Sequence, residues 1–171
     1  MELYAKGAEK CVQDGDIGWS QYLAYDKAFQ MYALKTAEAY TPGHDRGVWI
    51  YGPSRTGKST YAREKYPDAY DKLQNKWFDG YRGEKAIILD DLDIDALGHH
   101  LKRWMDVHPC KGENKGQTIA LQHDWFIVTS NQSIEELFKD KPEMIEPIRE
   151  RCKGRIHHFT EPFQYMKKDT L

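Results

Sequence analysis

At 171 residues the chain is long enough for one domain, or for one domain with a small appendage, and it can bury a real core. Its 40% hydrophobic and 30% charged residues exclude a disordered or fibrous polymer, and no apolar run approaches the roughly 20 residues a membrane span requires. Lysine and arginine total 25 against 27 acids, a net charge of −2, so a polynucleotide would have to be gripped by a local strip or by several copies together. The N-terminus lacks the charged-then-apolar layout of a signal peptide. Cys11, Cys110 and Cys152 show no Cys-x-x-Cys spacing, and reduced thiols in a reducing, intracellular compartment are expected.

Residues 1 to about 41 read as helical. The stretch 2–12 is amphipathic and stops at Asp14-Gly15-Asp16, and Ser20 is placed to cap a longer helix running to Tyr40. Tyr22, Tyr25, Phe29, Tyr32 and Tyr40 fall near one stripe at helical spacing. Such a face packs either on the domain behind it or on another copy. Thr41-Pro42-Gly43 marks a boundary, so 1–41 is expected as a helical appendage and 42–171 as the main domain. Beyond it, strand-like runs at 48–51, 86–89, 125–128 and 155–159 alternate with helical patterns at 58–66, 96–107 and 134–139. Leu97, Leu101 and Trp104 would form the inner face of the second of these helices. This alternation predicts an α/β domain with a mainly parallel sheet.

Three motifs lie at the ends of those strands. Gly52-Pro53-Ser54-Arg55-Thr56-Gly57-Lys58-Ser59 is a complete G-x-x-x-x-G-K-S between a strand and a helix. Its glycines let successive N–H groups curl round a phosphate, and the helix N-terminus adds partial positive charge. Lys58 would reach the β- and γ-phosphates, Ser59 would join a Mg²⁺ shell, and Thr60 completes the nucleotide-binding set. A bound nucleoside triphosphate is the expectation. Ile87-Ile88-Leu89-Asp90-Asp91 is a buried-strand pattern ending in acids, with Asp90 32 residues after Lys58. There Asp90 would hold the metal and Asp91 would polarise the attacking water. Asp93 and Asp95 read as a solvated turn and a helix cap. In Ile127-Val128-Thr129-Ser130-Asn131, an amide at the strand end either bridges the γ-phosphate and water, or Ser130 or Asn131 caps the helix that follows. His99, His100, His108 and His123 form no ligand set with the cysteines and read as polar surface.

Together, the phosphate loop, the acid-ended strand and Thr129-Ser130-Asn131 resemble the superfamily 3 helicases, compact members of the AAA+ class. Asn75-Lys76-Trp77-Phe78-Asp79-Gly80-Tyr81 and the stretch from His108-Pro109 to Asn131 are similar to the Rep proteins of circoviruses. The resemblance is specific from about 47 to 160 and looser over 1–41, where such proteins carry a helical oligomerisation collar. It implies a P-loop helicase core using ATP and Mg²⁺, assembled as a homo-oligomeric ring, expected to be a hexamer, that moves on single-stranded DNA during rolling-circle replication. It implies no membrane partner, and a host-nuclear location if the source virus is eukaryotic. Lys111 and Lys115, in the segment 111–118, correspond to a hairpin pointing into the ring channel; without the family this is a solvated Lys/Gly loop. In Ile148-Arg149-Glu150-Arg151-Cys152, Arg151 would reach the neighbouring subunit's ATP, with Arg149 and Arg155 as substitutes, because Glu150 stands where the family has an arginine. The family's nicking domain uses His-hydrophobe-His and Tyr-x-x-Lys motifs, which do not occur here, so nicking is not expected of this chain.

Two other functions compete. An RNA helicase or RNA-stimulated NTPase of superfamily 3 would share every core motif. A small-molecule P-loop kinase would need an acceptor pocket and an arginine-bearing lid, which the sequence does not locate.

Overall fold

The computed structural model describes residues 7–115 and 117–163. Two helices open the chain, α1 (Ala8–Gln13) and α2 (Trp19–Thr36). Strand β1 (Gly47–Tyr51) leads through a loop into α3 (Lys58–Lys65), followed by β2 (Tyr70–Lys72) and β3 (Ala86–Leu89). A 3₁₀ turn at Asp95–Leu97 runs into α4 (Gly98–Trp104). A hairpin follows, β4 (Lys111–Asn114) with β5 (Gln117–Ala120), and then β6 (Trp125–Ser130). Helices α5 (Ile134–Leu137) and α6 (Ile145–Arg151) precede the last strand, β7 (Ile156–His158).

Five strands form one sheet in the order β2-β3-β6-β1-β7, and every neighbouring pair is parallel. Strands of a parallel sheet are covered on both faces, which is why β1, β3 and β6 read as continuous apolar runs. Their side chains alternate between two cores. Trp49, Ile87, Leu89, Phe126 and Val128 face Leu101, Trp104, Met105, Phe138 and Ile148 on one side. Val48, Ile50, Ala86, Ile88 and Ile127 face Ala62, Phe159 and the partly buried Tyr61 and Tyr66 on the other. Each fully buried aliphatic side chain contributes about 1.5–3 kcal/mol relative to exposure.

Several expectations shift by a few residues, and some fail. The long helix starts after Gly18, whose N–H is taken by Gln21 Oε1 at 3.1 Å, so Ser20 lies inside the helix rather than capping it. It ends at Thr36, because Ala37 turns to extended backbone and Tyr40 runs down to a hydrogen bond with Asp124. Of the aromatic stripe, Tyr25 is 41% exposed, whereas Tyr22, packed on Ala8 and Cys11, and Tyr32 and Tyr40 are half-buried. Residues 1–6 and the Phe29 side chain lie outside the described set. His123, read as polar surface, is fully buried, with its Nε2 2.8 Å from the Trp104 carbonyl. Cys11, Cys110 and Cys152 are free thiols, all buried.

Candidate functional site

The parallel order sets the C-terminal ends of β1, β6 and β3 side by side, and a crevice outside carboxyl ends is where open α/β sheets bind ligands. Leaving β1, the chain curls at Gly52 (φ 143°) and re-enters a helix at Gly57 (φ 83°). These two positions need glycine twice over. A Cβ on Gly52 would collide with the Phe159 carbonyl oxygen, and one on Gly57 would lie 2.8 Å from the Phe163 Cβ. The segment after β7 is therefore strapped across the loop, with Phe159 N–H donating to Tyr51 O at 2.7 Å and Phe163 N–H to Thr56 O at 2.9 Å. Inside the curl, Thr56 Oγ1 donates to Pro53 O at 2.9 Å. Helix α3 starts directly after the curl with no side chain capping it at Gly57, and the first N–H groups of a helix lack intrahelical partners, as an anion site requires.

Lys58 is buried, and its Nζ donates to Gly52 O at 2.9 Å, Pro53 O at 2.7 Å and Asn131 Oδ1 at 3.1 Å. Burial pulls its ammonium below the usual lysine range, while Asp91 and Asp90 work against that. Ser59 Oγ donates to Asp90 Oδ1 at 2.6 Å, bringing two hard oxygen donors together in the way a Mg²⁺ site needs. Thr129 Oγ1, from the next strand, donates to the same oxygen at 2.6 Å. Arg63 holds the other carboxylate oxygen at 3.1 Å and Asp71 at 3.2 Å. Burial alone would raise the Asp90 pKa. Hydrogen bonds from Ser59, Thr129 and Arg63 override it and hold the carboxyl below the usual range.

Asp91 is exposed and sits in left-handed backbone (φ 52°), a conformation aspartate tolerates better than most residues. Its N–H donates to Thr129 Oγ1 at 2.8 Å, and its carbonyl accepts from Gln74 Nε2 at 2.8 Å. At the β6 end the helix-cap role goes to neither Ser130 nor Asn131. Ser133, within a capping box with Glu136, caps α5. Ser130 Oγ donates to Leu92 O at 2.6 Å, leaving Asn131 turned toward Lys58. The loop 52–59, Thr60, Asp90, Asp91 and Asn131 thus belong to one crevice end of the sheet.

The remaining candidates lie apart from it. Lys111 starts β4 and Lys115 sits in the β4–β5 turn, both exposed. Arg151 pairs with Asp106 through Nε at 2.9 Å and through NH2, and donates to Pro147 O at 2.8 Å. Arg149 is paired with Glu135 and Glu146, and Arg155 donates to the carbonyls of Gly47 and Asp45. Thr129, Arg63, Asp71 and Gln74 support the site although none of them was expected among its residues. Only Thr129 had a signal, its place in the Thr-Ser-Asn run. No helix among the described residues is long and apolar enough to cross a membrane.

This parallel sheet, with its glycine loop and lysine after β1 and its acid-ended strand β3 on the far side of β6, has the layout of a P-loop NTPase. Residues 48–132 match the RNA helicase family. The replication-associated protein of beak and feather disease virus is 35% identical over 91 residues, covering 53% of this chain and 32% of that protein. That of porcine circovirus 1 is 38% identical over 92 residues, covering 52% and 30%. The replication protein of onion yellows phytoplasma is 34% identical over 119 residues, covering 64% and 32%. The chain is thus similar both to RNA helicases, over 48–132, and to replication-associated proteins, and it spans about a third of the length of these relatives. The P-loop NTPase domain of a sigma-54 transport activator from E. coli overlaps with a TM-score of 0.44 at 13% identity, covering 84% of this chain and 98% of that one.

Proposed function

We propose that this chain is an ATP-driven DNA motor acting in replication, working as a homo-oligomeric ring, a hexamer, that draws single-stranded DNA through its channel. The supporting observation is the joining of Lys58, Ser59, Asp90, Asp91 and Asn131 at one crevice. Lys58 exchanges its loop carbonyls for the β- and γ-phosphates of ATP, and Asn131 follows the γ-phosphate through the same ammonium. Ser59 and Asp90 would hold Mg²⁺, which supplies charge neutralisation on the phosphates. Asp91, exposed and unencumbered by a metal role, orients the attacking water. Lys111 and Lys115 on the hairpin contact the nucleic-acid backbone, and Arg151 serves the ATP of the next subunit after leaving Asp106. Residues 1–41 act as the collar and 42–171 as the motor, at work inside the host cell and in its nucleus where the host is eukaryotic.

The matched family's description as RNA helicases supports a second reading, translocation on RNA. Steady-state ATP hydrolysis with and without single-stranded DNA or RNA of equal length separates the two. Stimulation by DNA, lost in Lys115→Ala together with part of the salt dependence of binding, is the expected result. Stimulation by RNA alone favours the second reading, and hydrolysis indifferent to both refutes each.

A further inference from the structure

The segment between β2 and β3 contains a stretch singled out in the sequence, 75–81, to which the proposed function gives no role. It is built around a buried lysine. Lys72 is 4% exposed, and its Nζ donates to Asn75 O at 2.6 Å and Trp77 O at 2.8 Å, with Leu73 O further off at 3.4 Å. The same ammonium lies over the rings of Phe78 at 4.3 Å and Trp104 at 4.8 Å. These carbonyls and aromatic faces tie the path of 73–78 to the core through Lys72.

Its two ends touch different machinery. At one end Gln74 Nε2 donates to the Asp91 carbonyl at 2.8 Å, and Gln74 Oε1 faces the Asp93 N–H at 3.5 Å. At the other, Phe78 N–H donates to the Glu113 carbonyl of the hairpin at 2.8 Å, and Lys76 pairs with the Glu113 carboxylate at 2.8 Å. Trp77 and Glu113 also form an isolated parallel bridge. A peptide unit held in left-handed backbone keeps that conformation only while its surroundings over-determine it. At Asp91 those surroundings are Thr129 on the amide side and Gln74 on the carbonyl side.

We infer that Gln74 is a positioning residue for Asp91, and that the Lys72-anchored segment 73–78 ties the water-orienting acid to the nucleic-acid hairpin. The inference rests on the proposed function, in which Asp91 and the hairpin have those roles. Gln74 touches neither the phosphate loop nor Lys58, so its loss should appear in turnover and not in nucleotide binding.

The test compares the parent with Gln74→Ala and Gln74→Glu in the full chain, by ATP titration, steady-state hydrolysis with and without single-stranded DNA, and thermal melting. Glutamate keeps the length and the acceptor but cannot donate to the Asp91 carbonyl. Both variants should lose about tenfold in kcat, equivalent to one tenfold step in the barrier. Their nucleotide affinity and melting temperature should stay at the parental values, and their fold-stimulation by DNA should fall toward one. Parental kcat in Gln74→Ala, parental stimulation, or a matching loss of nucleotide affinity and melting temperature would overturn the inference. A parent that fails to hydrolyse ATP would instead bring down the proposed function beneath it.

Discussion

Thr129→Val removes one hydroxyl and almost no volume, which makes it a clean probe of how the acids are held. Thr129 is 1% exposed, and its Oγ1 serves two groups at once, donating to Asp90 Oδ1 at 2.6 Å and accepting from Asp91 N–H at 2.8 Å. A hydrogen bond to a charged group contributes about 1.5–3 kcal/mol, and a buried N–H left unpaired costs about 1–3 kcal/mol. Asp91 is exposed, so water can restore part of the second loss. The net expectation is about 2–4 kcal/mol of unfolding free energy in urea at pH 7.5. If half of that also holds the acids in register during turnover, kcat falls by about 5–30-fold. Nucleotide affinity should hold, because the valine touches neither the loop nor Lys58. Thr129→Ser restores the hydroxyl and should recover most of both losses. A valine variant with stability within about 0.5 kcal/mol of the parent and kcat within about twofold would show that the hydroxyl does not organise the acids.

Lys58→Ala should abolish hydrolysis with the circular dichroism spectrum unchanged, and persistent turnover would contradict the phosphate role of this lysine. Arg151→Ala should lose about 10³-fold in turnover yet still bind ATP; mixing it with Lys58→Ala should recover activity, and no recovery in demonstrated mixed oligomers would remove Arg151 from the neighbouring site. Acid should destabilise the fold through His123, whose pKa burial pushes down to about 3 and whose Nδ1 is buried without a partner. The unfolded chain takes up this proton first, so stability is complete above about pH 6.5 and falls by about 1.4 kcal/mol per pH unit below it, toward pH 3. Because burial also lowers the His100 and His157 values, the urea stability of His123→Gln at pH 7 and pH 5 is the control, and a slope equal to the parent's would refute the assignment.

The phosphate loop was legible because its glycines answer to geometry that no other residue meets. Strands β1, β3 and β6 were legible because burial on both faces gives each of them a continuous run of apolar residues, with the polar Thr129 and Ser130 only at the end of β6. Strand β2 was not, since Tyr70-Asp71-Lys72 carries two charges and lies at the sheet edge. Its lysine is inside only because three carbonyls converge on the ammonium, a fact of tertiary structure. Helix α6 hides behind Pro147, which sits in the first turn, where a missing N–H does no harm. His123 looked like surface because its environment is supplied from outside its own segment: the Trp104 carbonyl takes Nε2, and the buried Arg46 guanidinium donates to the His123 carbonyl. The hairpin was drawn from resemblance, and its antiparallel register, Lys111 with Ala120 and Asn114 with Gln117, follows that expectation.

Register explains why the acids depend on a neighbouring strand. Strands β3 and β6 pair Leu89 with Val128, so Asp90 and Asp91 emerge level with Thr129 and Ser130. Strands β6 and β1 pair Tyr51 with Ser130, which sets Asn131 level with Gly52 and the start of the phosphate loop. Because side chains alternate faces, a slip of one residue in β6 would turn Thr129 away from Asp90 and set Val128 or Ser130 in its register position. The chemistry is thus fixed by the two cores below it. Val128 and Leu89 on one face, with Ile127 and Ile88 on the other, hold β6 and β3 in the single register that brings a hydroxyl to Asp90 and an amide to Lys58. Substitutions at these apolar positions that leave the chain folded should therefore reach turnover through the same Thr129 hydrogen bonds, before they reach nucleotide binding.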